Sequence, residues 1–180
     1  MFHLLLSACL AADPSVCAPR LLPAGDAMTK ADCMARGAEV AADWSTRHED
    51  LRGKDWDCVP NSQFATLAVE ELSPGIFTRF GATAMSDSEN QGRIANLSFI
   101  VREQVLVIDA GGSRAEGEAL YATIRSITDA PIAALVLTHM HPDHSFGAEV
   151  FAEAGAEIIA HARYPEAMAA RADTYLRTFP

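Results

Sequence analysis

No stretch of this 180-residue sequence reaches the roughly 18 consecutive apolar residues needed to cross a bilayer, so a membrane-spanning helix is excluded. Basic residues are also scarce. Fourteen Lys and Arg stand against 24 Asp and Glu, a formal net charge of −10. A chain with that balance and no basic stripe repels phosphate backbones, which excludes nucleic acid as a general partner. There is no Cys-x-x-Cys pair, so a zinc knuckle or a thioredoxin-like site has no support. No internal repeat or low-complexity segment is visible. Apolar residues at 49% and charged residues at 21% describe a globular chain, not a disordered one.

What is present divides the chain in two. Residues 1–65 hold all four cysteines (Cys9, Cys17, Cys33 and Cys58) and both tryptophans, Trp44 and Trp56. They also hold turn formers at Pro14, Pro19, Pro23, Gly25, Gly53 and Pro60. One helix is expected here, capped by Thr29 with Asp32 three residues on, and covering the alanine-rich stretch from Ala31 to Trp44. An even number of cysteines in a short, turn-rich segment predicts two disulfides and hence an oxidising compartment, with three pairings open. An exported, periplasmic location follows as an expectation, although the targeting signal is weak. The apolar run Leu4–Ala12 is short for a signal peptide, and no Lys or Arg precedes Arg20. Leu6-Ser7-Ala8-Cys9 resembles a bacterial lipobox, but too few residues precede it to form a proper leader.

The texture changes in residues 66–180. Residues 67–72 and 75–80 read as short strands separated by Ser73-Pro74-Gly75, and polar residues 82–93 read as a loop. The apolar runs 95–101 and 104–109 form a hairpin. Ala110-Gly111-Gly112 stops its second strand, and Ser113 with Glu116 starts a helix that Asp129-Ala130-Pro131 ends. On that helix Ala119, Leu120, Ala122, Ile124 and Ile127 share a broad apolar face, leaving Arg114, Glu118 and Arg125 for the water. Residues 133–137 are a strand buried on both sides. A polar loop, a helix near 146–154, a strand at 157–160 and a helix from Pro165 to about Leu176 complete the pattern. Strands alternating with helices define an α/β, layered architecture.

Three of the six histidines fall in Thr138-His139-Met140-His141-Pro142-Asp143-His144, directly after the buried strand. Layered α/β folds place ligands at such strand ends. Imidazole nitrogens and a carboxylate suit zinc, manganese or iron. The alternation His139-x-His141 puts two rings on one side of an extended segment. Pro142 then turns the chain, so Asp143 and His144 approach from a second direction. One loop thus offers two pairs of ligands. Two adjacent cations can hold a water and lower its pKa, supplying hydroxide near neutral pH.

His139, His141, Asp143 and His144 complete the His-x-His-x-Asp-His hallmark of the metallo-β-lactamase superfamily, which residues from about Val69 to Pro180 resemble. The resemblance implies an αββα sandwich, of which this chain carries only the first half. It implies a metal-dependent, dizinc hydrolase acting on a small-molecule substrate by metal-bound hydroxide. His139 and His141 would hold the first metal, and Asp143 and His144 the second, with Asp143 also orienting the nucleophile. Asp109, in Val107-Ile108-Asp109-Ala110-Gly111-Gly112, would orient the loop or a ligand from behind; a plain turn-forming role before two glycines is the alternative. The segments Ile108–Arg114, Leu137–His144 and Trp56–Pro60 further resemble the quinoprotein relay system zinc metallohydrolases, implying association with quinoprotein dehydrogenase systems. The superfamily's later ligands have no counterpart in the 36 residues after His144. His161, the one histidine there, reads as a strand-end residue and not as a ligand. The chain is therefore expected to be part of a longer enzyme, poorly active alone. An iron-dependent oxidoreductase on the same fold and a non-catalytic exported binding module are the alternatives.

Overall fold

The structure is a computed structural model that describes residues 1–178 except Ser86, Ser88 and Gln91. The chain forms two compact units, Met1–Ala65 and Thr66–Pro180.

The first unit is a three-stranded antiparallel sheet with one helix: β1 (Phe2–Leu10), β2 (Cys17–Ala27), α1 (Lys30–Arg47) and β3 (Leu51–Pro60), in the order β2-β1-β3. The apolar segment near the start is therefore the central strand. Leu4, Leu6 and Ala8 alternate inward, as a half-buried strand requires, and meet Cys33, Ala41 and Trp44 of α1. β2 runs through Pro19 and Pro23, both expected in turns. It is an edge strand, where a residue lacking an N–H need not break a ladder. Thr29 caps α1 by accepting the Asp32 N–H at 3.2 Å. The capping is not reciprocal in the usual sense, since the Asp32 carboxylate accepts from the Thr29 hydroxyl itself at 2.6 Å.

Two disulfides form, as expected, and the pairing is Cys9–Cys17 and Cys33–Cys58. The first joins directly paired residues of β1 and β2; the second ties α1 to β3 in the core.

The second unit contains β4 (Glu70–Ser73), β5 (Ile76–Arg79), β6 (Leu97–Val101), β7 (Val105–Ile108), α2 (Arg114–Ile127), β8 (Ile132–Leu137), α3 (Pro142–Ser145), α4 (Ala148–Glu153), β9 (Glu157–Ala160), α5 (Tyr164–Ala169) and α6 (Ala172–Thr178). Its six strands form one sheet in sequence order. β4 to β7 are antiparallel, whereas β7, β8 and β9 are parallel and joined through helices. Leu97, Phe99, Val105, Val107 and Leu135 are buried on one face. On the other face Ile100, Leu106, Ile108 and Val136 are half-buried. Phe77 and Phe99 face each other across β5 and β6 and stack at 5.0 Å, a cross-strand pair of the kind that fixes register.

Two expectations for the helices need correction. The single helix expected near 146–154 begins earlier, at Pro142, and is broken at Phe146-Gly147 into α3 and α4. The final helix is likewise two, α5 and α6. Arg114 and Glu118, assigned above to the water, are largely buried. The Arg114 guanidinium meets Glu118 at 2.9 Å, Glu149 at 2.6 Å and Glu153 at 2.7 Å, joining α2 to α4. Burial opposes its charge, but Glu153, Glu118 and Glu149 outweigh that and hold its pKa above the usual arginine value. Glu118 is an i,i+4 neighbour that helical periodicity could offer, but Glu149 and Glu153 lie on a different helix, which it could not reveal.

No helix among the described residues is long and apolar enough to cross a membrane.

Candidate metal centre

Parallel strands end side by side. Ile108 pairs with Val136 and Leu137 with Ala160, so Asp109, Thr138 and His161 emerge at one end of the sheet. There the chain brings together Asp109, His139, His141, Asp143 and His144.

Asp109 is the node. Among the described residues it is the only non-glycine with a positive φ, at 60°, a conformation that aspartate tolerates better than most. Its carboxylate, 3% exposed, accepts from the Thr138 N–H at 2.9 Å, from the Thr138 hydroxyl at 2.8 Å and from His144 Nδ1–H at 2.7 Å. The backbone reinforces this docking. Ala110 N–H donates to His144 O at 2.7 Å, and Gly147 N–H to Gly111 O at 3.0 Å. A Cβ on Gly147 would lie 2.1 Å from Ala110 O, so only glycine permits this approach, which is also where α3 and α4 part. Pro142 opens α3, and the Ser145 hydroxyl donates to His141 O at 2.9 Å.

These bonds fix which ring nitrogens are free. The Thr138 hydroxyl has one proton, and Asp109 takes it. Toward His139 Nδ1, 2.9 Å away, that oxygen is therefore the acceptor, which leaves His139 Nε2 with a lone pair. His139 Nε2 and His141 Nδ1 stand 3.1 Å apart. Two zinc ligands at about 2.0–2.1 Å with tetrahedral angles are separated by about 3.3 Å, so this spacing suits a shared ion. His144 spends its Nδ1–H on Asp109, and its Nε2 lies 3.3 Å from Asp143 Oδ2. Two acceptors face each other at that distance only with a proton or a cation between them. Both spacings are compatible with a shared cation, and Asp109 contacts His144 directly and His139 through Thr138.

The hydrogen bond to Asp109 raises the His144 pKa, against the effect of burial and with help from Asp143. Burial, followed by repulsion from His144 and His141, lowers that of His139. The site faces solvent: His141 is exposed, and His139, Asp143 and His144 are partly so. His161 stands at the same sheet end but is exposed, with Nδ1 accepting from the Arg163 N–H at 3.1 Å. Sequence reasoning missed Thr138, whose hydroxyl links Asp109 to His139. Its position after an apolar strand was the only available signal.

With this geometry in hand, comparison with known proteins gives a consistent result. Residues 91–178 match the family model described as the metallo-beta-lactamase superfamily. A linear primary-alkylsulfatase from Pseudomonas sp. (strain ATCC 19151) is 41% identical over 49 residues, which is 27% of this chain and 9% of that protein. Among solved structures, the metallo-beta-lactamase from Erythrobacter litoralis superposes with a TM-score of 0.51 at 21% identity, covering 61% of this chain and 48% of that one. The metallo-beta-lactamase FIM-1 from Pseudomonas aeruginosa, in its mono-zinc form, gives 0.50 at 16% identity, covering 63% and 50%. The mixed α/β fold is therefore that of metallo-β-lactamase structures, and the chain spans about half of their length.

Proposed function

We propose that residues 66–180 carry one half of the metal centre of a dizinc hydrolase. Its first pair of ligands is His139 and His141, and its second is Asp143 and His144. The observation that supports this most directly is the gathering of both pairs beside Asp109, with His139 Nε2 and His141 Nδ1 3.1 Å apart and His144 Nε2 and Asp143 Oδ2 3.3 Å apart. Zinc, when bound, would act as a Lewis acid and lower the pKa of a coordinated water. The chain's own residues have simpler tasks. Asp109 holds His144 and, through Thr138, His139 in the tautomers that leave ligand nitrogens free. Asp143 supplies negative charge beside His144 at a partly open face, where a substrate's electrophilic centre can enter.

Each pair supplies two ligands, whereas a catalytic zinc usually has three from protein. On this reading the others come from the portion of such structures that this chain does not span. Residues 1–65 then form a disulfide-stapled unit suited to an oxidising compartment such as the periplasm. The likeness of Ile108–Arg114, Leu137–His144 and Trp56–Pro60 to quinoprotein relay system metallohydrolases supports association with a quinoprotein dehydrogenase system.

The test is metal analysis of purified protein offered zinc, iron and manganese, followed by turnover of a chromogenic lactam, a thioester, an ester and an alkyl sulfate. Zinc uptake with hydrolysis of one of these is expected of protein that also carries the remaining ligands, and weak uptake with little turnover of residues 1–180 alone. Selective iron uptake would favour the oxidoreductase alternative, and no uptake of any metal the binding module.

A further inference from the structure

Behind the ligand loop lies a second carboxylate that the site has not used. Glu116, on the first turn of α2, is 1% exposed. The sequence suggests a reciprocal cap with Ser113, and half of it forms: the Glu116 N–H donates to Ser113 Oγ at 3.2 Å. The side chain does not return to Ser113. Its Oε2 accepts from the Gly112 N–H at 2.8 Å. Its Oε1 is buried without a hydrogen-bond partner, 3.6 Å from the Arg79 guanidinium.

A helix needs no such carboxylate to be capped, and burying one with an unsatisfied oxygen is costly. The compensation lies in what it holds. Gly112 and Gly111, at φ 92°, form the turn that carries Asp109. A Cβ on Gly111 would sit 2.7 Å from Glu116 Cγ, so the side chain fills the inside of the turn. Gly111 O receives the Gly147 N–H, and Ala110 N–H reaches His144 O. A Cβ on Gly112 would lie 3.4 Å from the Asp143 Cα. Glu116 thus presses on the one turn that touches both ends of α3. Arg79 also donates to Ala95 O at 2.7 Å and to Arg93 O at 2.8 Å, anchoring the chain that returns beside Gly112.

We infer that Glu116 is a positioning residue that holds the Gly111-Gly112 turn, and through it Asp109 and the Asp143-His144 ligand pair, in the geometry required for metal binding. This rests on the metal-site reading above, and its test separates the two. Amide hydrogen exchange of the metal-free 180-residue chain is compared for wild type, Glu116→Ala, Glu116→Asp and Glu116→Gln, followed by titration with cobalt(II) read by its visible absorption. In the Ala and Asp variants the Ala110, Gly112 and Gly147 amides should exchange about tenfold faster or more, with Phe99 and Leu135 unchanged. Asp keeps the charge but is too short to reach Gly112. Cobalt affinity should fall about 10–100-fold in both, the loss typical when a ligand's support is removed. Gln keeps the acceptor and should restore both readouts. Wild-type exchange at all three amides in the Asp variant would overturn the inference, as would Gln behaving like Ala. If wild-type protein bound no cobalt, the metal-site reading would fall, while the exchange comparison would still decide whether Glu116 orders the turn.

Discussion

Asp109 and His144 are separated by 35 residues in sequence and joined by a 2.7 Å hydrogen bond. Because the same carboxylate also takes both protons of Thr138, it sets the tautomers of His144 and His139 together. Asp109→Asn should show this. Asparagine also tolerates positive φ, so the fold should persist. Its amide cannot accept all three hydrogen bonds, and zinc affinity should fall about 10–100-fold. Competition against a chromogenic chelator measures this, with circular dichroism as the control for folding. Unchanged affinity would sever Asp109 from the ligands.

Ligand and non-ligand histidines should separate cleanly. If the proposed metal centre is right, His139→Ala and His141→Ala should each abolish most metal uptake and, in protein that carries the remaining ligands, nearly all hydrolysis, since each would remove a direct bond. His161→Ala removes only an acceptor for the Arg163 N–H and should leave the metal stoichiometry near wild type. Equal losses in the His161 and His139 variants would make His161 a ligand.

The disulfides should differ in accessibility. Cys17 is exposed, whereas Cys33 and Cys58 are fully buried. Graded reduction with alkylation and peptide mass spectrometry should label Cys9 and Cys17 before Cys33 and Cys58. Removing the Cys33–Cys58 link, which closes a separation of 25 residues, should cost about 3 kcal/mol in chemical denaturation. Four alkylatable thiols in protein made in an oxidising compartment would contradict the pairing.

Glu116 gives the metal-free chain a pH signature. Burial raises its pKa above the usual carboxylate value, with Gly112, Arg79 and Arg93 opposing and Asp143 adding to the rise. A carboxyl whose folded pKa is raised binds its proton more tightly in the folded state. Ionisation therefore costs stability, and the cost appears as pH rises from the ordinary carboxylate value through the raised one. Glu116→Gln should match wild type in acid and gain on it toward neutral pH, as measured by urea unfolding at several pH values. A difference that stays flat with pH would refute this.

The second unit was largely legible in its sequence. Continuous apolar runs marked β7 and β8, the Ser113 cap and helical periodicity marked α2, and the histidine spacing marked the loop where His139, His141, Asp143 and His144 come together. The first unit was less so. Three successive leucines hide the period-2 alternation of β1, and Pro19 and Pro23 read as turns because edge position is a tertiary property. The break at Gly147 was invisible because it depends on the Ala110 carbonyl, far away in sequence. Asp109 was ambiguous between turn former and support, and the geometry shows both features in one residue: its backbone makes the turn and its side chain reaches Thr138 and His144.

The Arg114 cluster has a consequence for how a cation would arrive. Glu149 and Glu153 lie one turn apart on α4, so a single guanidinium fixes that helix in rotation as well as position. The Pro142–Gly147 segment is then braced from α4 on one side and from the Gly111-Gly112 turn on the other. A loop held this way behaves as a template. Little ordering entropy remains to be lost on binding, so uptake should follow a single kinetic phase, without a slow rearrangement after encounter.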